Sequence, residues 1–196
     1  MTEMEFQKLN EARAHLCAGN DAEAMGCYAV VAAENPENPE AKFFAYYLDF
    51  LDSKEDASKR KMAMIKLINS LEDAVKCVAE ADCTKEEKLA LIKAIAELYT
   101  RVPGYMITVR LSPIAETIEN GVLSLYWLGS YIKKDFKADK EAMKLAIIPW
   151  KEGVKLQQQY YSYKYEGNKA EDYAAEIQKI DPSYTIPKKA GCISLG

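Results

Sequence analysis

Apolar residues recur every three or four positions along most of this chain and rarely alternate, which is the period of a helix with one buried face rather than of a strand. Phe6, Leu9, Ala12 and Leu16, with Arg13 on the same stripe, form the first run. Thr2 followed by Glu5 opens it with the spacing of a capping box, and Gly19 stops it. A second run starts at Asn20 and Glu23, places Ala24, Tyr28, Val31 and Ala32 on one side, and closes at Asn35-Pro36. A third is capped by Asn38 with Pro39 in its first turn, where a missing N–H costs nothing, and Phe43, Phe44, Tyr47, Leu48 and Leu51 supply its buried face.

Beyond the polar stretch 52–56 the same period continues over 57–81, with Met62, Ile65, Ile68, Leu71, Val75 and Val78 on the apolar side and alternating charge on the other. Thr84 and Glu87 form another capping box ahead of Leu89, Ile92, Ile95, Ala96 and Tyr99, and Pro103-Gly104 is the expected stop. Segment 105–111 holds Ile107, Thr108 and Val109, strand-prone residues without a second strand to pair with, and reads as connector or helix. After Ser112-Pro113 comes a strongly apolar run, Ile114 to Ile132, read as the most buried element of the chain. Gly121 and Gly129 lie on nearly the same face of it and would let a neighbouring helix approach closely. A further helix over 138–165 contains Pro149, so a kink or break is expected near 146–149. Asn168 with Glu171 starts a short last helix that ends at Asp181-Pro182. Seven or eight helices and no convincing sheet predict an all-α protein.

Composition changes this picture mainly by exclusion. The 196 residues are about half hydrophobic, enough for a compact domain with its own core, and residues 1–186 read as a single all-helical domain followed by a flexible tail over 187–196. A net charge of −4 gives no footprint for nucleic acid, which needs clustered Lys and Arg. No apolar run approaches the length that spans a bilayer, and the acidic start is unlike a signal peptide. Five scattered cysteines, mostly inside apolar helical patterns, suit buried thiols in a reducing compartment, so a cytoplasmic location is expected. Cys192-Ile-Ser-Leu would match a prenylation box only if it were terminal, and Gly196 follows it.

Two stretches share one pattern. Ala24, Tyr28, Val31 and Pro36 have the same spacing as Ala170, Ala174, Ile177 and Pro182, and a glycine, Gly19 or Gly167, precedes each. With Ala12 at the small position of the preceding helix, the first stretch resembles the tetratricopeptide repeat (TPR), a helix pair of about thirty-four residues that stacks on its neighbours. Lys8 and Glu11 depart from the family pattern, standing where an aromatic and an aliphatic are usual. The resemblance covers 5–50 and, more loosely, 150–184; 57–135 is helical without a repeat signature. It implies a TPR-like α-α superhelix that binds protein or peptide on a concave face, including a second copy of itself. Carried over by position, that face would contain Phe6, Leu9, Arg13 and Leu16 from the first unit and Glu40, Phe43, Tyr47 and Phe50 from the second. Leu9 and Arg13 stand where the carboxylate-clamping subset needs Lys and Asn, so no clamp is implied.

The sequence offers little for catalysis. His15, the single histidine, is two residues from Cys17 and so on a different face of the same helix, which disfavours a Cys–His pair. No zinc spacing, phosphate loop or hydrolase motif is present, and neither a metal nor a cofactor is expected. Tyr160, Tyr161, Tyr163 and Tyr165 form a cluster that would serve either as an interface or as packing under the last helix. The expected function is a non-catalytic helical module that mediates protein or peptide binding. The alternative is a helical bundle that holds a small apolar ligand in a pocket between the 114–132 helix and its neighbours.

Overall fold

A computed structural model describes residues 2–53, 55–108, 114–137, 139–160 and 169–188, the side chains of 106–108, 114–118 and 160 excepted. They form an all-α array: α1 (Glu3–Ala18), α2 (Asp21–Glu34), α3 (Pro39–Asp52), α4 (Ala57–Glu80), α5 (Lys85–Thr108), α6 (Ile114–Phe136), α7 (Lys140–Tyr160) and α8 (Lys169–Gln178). Helices α1 to α4 pack each on the next, as do α5, α6, α7 and α8, and α5 also touches α1, α4 and α7. The buried apolar cluster draws on all eight, from Leu9 and Tyr28 through Phe44, Leu67, Ile95 and Leu128 to Trp150 and Ile177.

Local signals in the sequence set most helix starts. Thr2 Oγ1 accepts from the Glu5 N–H at 3.1 Å while the Thr2 N–H donates to Glu5 Oε2 at 3.3 Å, which closes the capping box. Thr84 and Glu87 reciprocate in the same way at 3.2 and 2.8 Å. Asn38 caps α3 through the Ala41 N–H, with Pro39 at its first turn. Asn20 departs from expectation, because its side chain makes no capping bond. Gly19 is left-handed (φ 76°), and this turn directs the Asn20 N–H back to the His15 carbonyl at 2.8 Å, so Asn20 closes α1 instead.

Two prolines fail to stop their helices. α5 runs through Pro103 and Gly104 to Thr108, which resolves 105–108 as helix, and α7 is continuous through Pro149. Packing explains the first: Val102 is buried and a Cβ on Gly121 would come within 3.0 Å of Pro103 Cβ, so the proline ring seats on α6 and the lost backbone bond is outweighed. The close approach expected of Gly121 and Gly129 is present. A Cβ at Gly129 would lie 2.3 Å from Trp150 Nε1, and one at Gly153 would lie 2.7 Å from the Tyr126 ring, so α6 and α7 interlock glycine against aromatic on both sides. Trp150 Nε1 donates to the Tyr126 carbonyl at 3.0 Å, and Tyr173 of α8 stacks on Tyr126 at 4.0 Å.

Candidate functional site

The eight positions expected to line a concave binding face are mostly interior. Phe43 is fully buried, and Leu9, Leu16, Tyr47 and Phe50 are nearly so. Arg13 is buried too and is committed to Glu40, through Nη2 to Oε2 at 2.8 Å and Nε to Oε1 at 3.2 Å. Tyr28 donates its hydroxyl to the same carboxylate at 2.8 Å, so fully buried Glu40 is satisfied by three donors. Burial pushes the Arg13 pKa down, but Glu40 holds it above its ordinary value, and burial together with Glu40 raises that of Tyr28. Phe6 alone of the eight is exposed, at half its surface. Four of the eight, Phe6, Leu9, Arg13 and Glu40, line one groove of about 490 Å³ between α1, the start of α3 and the end of α4. Its outer wall is polar, formed by Asp73, Lys76, Glu80 and Asp82.

The other side of α4 carries a more apolar surface. α6 turns Val122, Leu125, Tyr126 and Ile132 inward, and with Gly129 pressed on Trp150 this orientation leaves Trp127 facing out, 38 % exposed. On α4 the inward stripe is Met64, Leu67, Leu71, Ala74, Val75 and Val78. Met62 and Ile65, expected inside, are therefore outside, at 55 % and 38 % exposure. Between the two helices Ile65, Ile68 and the edge of Met64 face Trp127 across a cavity of about 320 Å³, rimmed by Lys61, Asn69 and Asn120. Lys134 bridges to Glu72 at 2.8 Å at one end of this face, which raises the Lys134 pKa by hydrogen bonding and charge. This face therefore sets a surface tryptophan across from exposed Ile65 and half-buried Ile68 of the neighbouring helix.

Sequence reasoning did not single out Trp127. Its run, Leu125-Tyr-Trp-Leu128, is apolar on every side, so periodicity alone does not say which aromatic faces out. The signal was the glycine: Gly129 marks the α7-facing side of α6, and Trp127 is two residues, about 200°, away from it.

Arg60 went unremarked as well. It is buried with its guanidinium 5.1 Å from the Tyr105 ring centre, and Nε and Nη2 have no hydrogen-bond partner among the described residues.

His15 is half-buried and Cys17 exposed on the same helix, and Cys17, Cys27, Cys77 and Cys83 are free thiols. No three His, Cys, Asp or Glu side chains among the described residues are grouped to hold a metal ion. No described helix is long and apolar enough to cross a membrane. Tyr161, Tyr163 and Tyr165, the Tyr160 side chain, the expected Asn168 cap, Ser112-Pro113 and tail residues 189–196 with Cys192 lie outside the described residues. No protein-family model, curated protein or solved structure matches this chain.

Proposed function

We propose that this chain is a non-catalytic, TPR-like helical module whose α4–α6 face binds a protein segment. The observation that carries the reading is the placement of exposed Trp127 on α6 across from exposed Ile65 on α4, with exposed Met62 one turn from Ile65 on the side toward α3. Water contact by these side chains is unfavourable by about 25 cal/mol for each Å² of apolar surface, so covering the face is a ready source of binding free energy. The cavity beside Trp127 is near the lower bound of small-molecule sites, roughly 300 Å³. It opens onto the exposed Trp127 and Ile65 rather than closing around a ligand, which favours insertion of one or two apolar side chains from a partner over an enclosed small molecule.

Selection of a displayed random-peptide library on the folded protein tests this reading. Binders enriched in apolar anchors that lose affinity at least tenfold on Trp127→Ala are expected, corresponding to about 1.4 kcal/mol or more. Enrichment of peptides indifferent to Trp127→Ala and Ile65→Asp alike contradicts it.

A further inference from the structure

We propose that Arg60 anchors an oxyanion site where α3, α4 and α5 meet, and that the site takes a phosphate or carboxylate group through two oxygens held side by side. The proposal is separate from the α4–α6 binding face. The guanidinium carries it: Arg60 is 1 % exposed, and its Nε and Nη2 have no hydrogen-bond partner among the described residues. Buried polar groups are almost always paired, and a buried cation without an acceptor is among the costlier arrangements a fold can hold.

Which two atoms are unpartnered decides the ligand class. Nε–H and Nη2–H lie along one edge of the planar guanidinium and form the fork that meets a carboxylate or phosphate with two parallel hydrogen bonds. Arg13 shows that edge in use within the same chain, where its Nε and Nη2 donate to Glu40 Oε1 and Oε2 at 3.2 and 2.8 Å. Arg60 is buried like Arg13 and presents the same edge to no described acceptor.

The surroundings favour an anion without supplying one. The guanidinium carbon lies 5.1 Å from the Tyr105 ring centre, and Phe50 of α3 meets that ring edge-on at 6.0 Å. An aromatic face attracts the charge but offers the in-plane N–H groups no lone pair. Asp56 is committed to the start of α4, where its Oδ1 accepts from the Ser58 and Lys59 N–H groups, and Asp49 and Asp52 line a groove with Lys59 and Lys66. Arg60 is also the fourth residue of α4, at the positive end of the helix dipole, where an anion is stabilised and an unpaired cation is not. Tyr105 is 43 % exposed, so the fork lies one side chain beneath the surface and an ion reaches it past this ring.

Two-dimensional NMR of the isotope-labelled full chain tests the proposal at the atom concerned. The Arg60 Nε–H signal, identified by its loss in R60K and in R60M, is expected to shift saturably on titration with inorganic phosphate or acetate, and not with chloride at the same ionic strength. A response to phosphate alone assigns the site to a phosphate group, a response to acetate alone to a carboxylate, and a response to both to either source. The Arg13 Nε–H, already held by Glu40, is expected to stay in place. R60K keeps the charge but not the fork, and by calorimetric titration it should bind the effective ion about tenfold more weakly or worse, with circular dichroism confirming that it is folded. No shift with either ion overturns the proposal, as does an R60K affinity equal to that of the wild type. An equal shift in chloride, or an equal shift at Arg13, marks an adventitious ion only and overturns it too. None of these outcomes alters the expected dependence of peptide binding on Trp127, so the two readings stand or fall apart.

Discussion

The two ends of the helical array solve the problem of fixing one helix against the next with different chemistry. Between α1, α2 and α3 the joint is polar: Arg13, Tyr28 and Glu40 meet, all three buried, and Arg13 Nε, Arg13 Nη2 and the Tyr28 hydroxyl are aimed at one carboxylate. Between α6 and α7 the joint is steric: Gly129 and Gly153 remove side chains so that Trp150 and Tyr126 can occupy the space. A charge hub tolerates small shifts in distance but not the loss of a partner, because a lone buried charge has no water to fall back on. A glycine socket has no charge to strand, but it has no slack for an added atom. The α4–α6 face shares α6 with the second of these regions and joins the first through the packing of α4 on α3.

The largest effect should come from Glu40→Ala, which strands Arg13 and Tyr28. It is expected to cost about 3–5 kcal/mol in urea unfolding, while Arg13→Met combined with Glu40→Leu should recover most of that loss. A double variant as unstable as Glu40→Ala alone would show that the hub matters for more than charge pairing.

Gly129→Ala comes next, at about 1–3 kcal/mol, because a Cβ 2.6 Å from the Ala146 carbonyl oxygen meets backbone that cannot rotate away. Gly153→Ala should cost less, since its Cβ meets the edge of the Tyr126 ring, which has some freedom to tilt. Equal costs would mean that α6 and α7 separate as rigid bodies rather than adjusting side chain by side chain.

Alkaline pH should erode both regions together. Burial is the first cause that raises the pKa of Tyr28, Tyr99 and Tyr126 in the folded chain, with the Glu40 charge adding to it at Tyr28 and the hydrogen bond to Ser124 opposing it at Tyr99. Unfolded tyrosines release their protons near pH 10, roughly the ordinary value, while these three keep theirs. Their contribution is complete below about pH 10 and falls as the pH rises through and beyond it, which a series of chemical denaturations at increasing pH would follow. A flat profile would contradict the burial of these hydroxyls.

Trp127→Ala should have the smallest effect on stability, within about 0.5 kcal/mol, since the side chain is a surface group. Its consequence belongs to binding.

How much of this was legible in the sequence depended on the range of the interaction that decides each feature. Capping at Thr2, Asn38 and Thr84 is settled within four residues, and those helix starts match the sequence reading. The close approach at Gly129 was legible because a glycine on a uniformly apolar helix has few other uses. Pro103 was misjudged as a stop, since the contact that carries the helix past it comes from Gly121 on another element. The second half of the α4 stripe, Leu71, Val75 and Val78, is buried as expected, but the first half belongs on the other side for a related reason: Met62 and Ile65 are as apolar as Met64 and Leu67, and only the positions of α3, α5 and α6 decide which pair faces inward. Phe43, Tyr47 and Phe50 were carried to a binding face by position in a repeat, whereas α3 packs that side against its neighbours.

The most direct test of the account is an oxidative footprint of the protein, free and saturated with a peptide selected on it, read by mass spectrometry at Met62 and Trp127, with Met4 and Phe6 as references of similar exposure on α1. Bound peptide is expected to protect Met62 and Trp127 several-fold and to leave Met4 and Phe6 unchanged. Protection of Phe6 and Met4 with Met62 and Trp127 unaffected would contradict it, and would move the binding surface to the groove between α1 and α4.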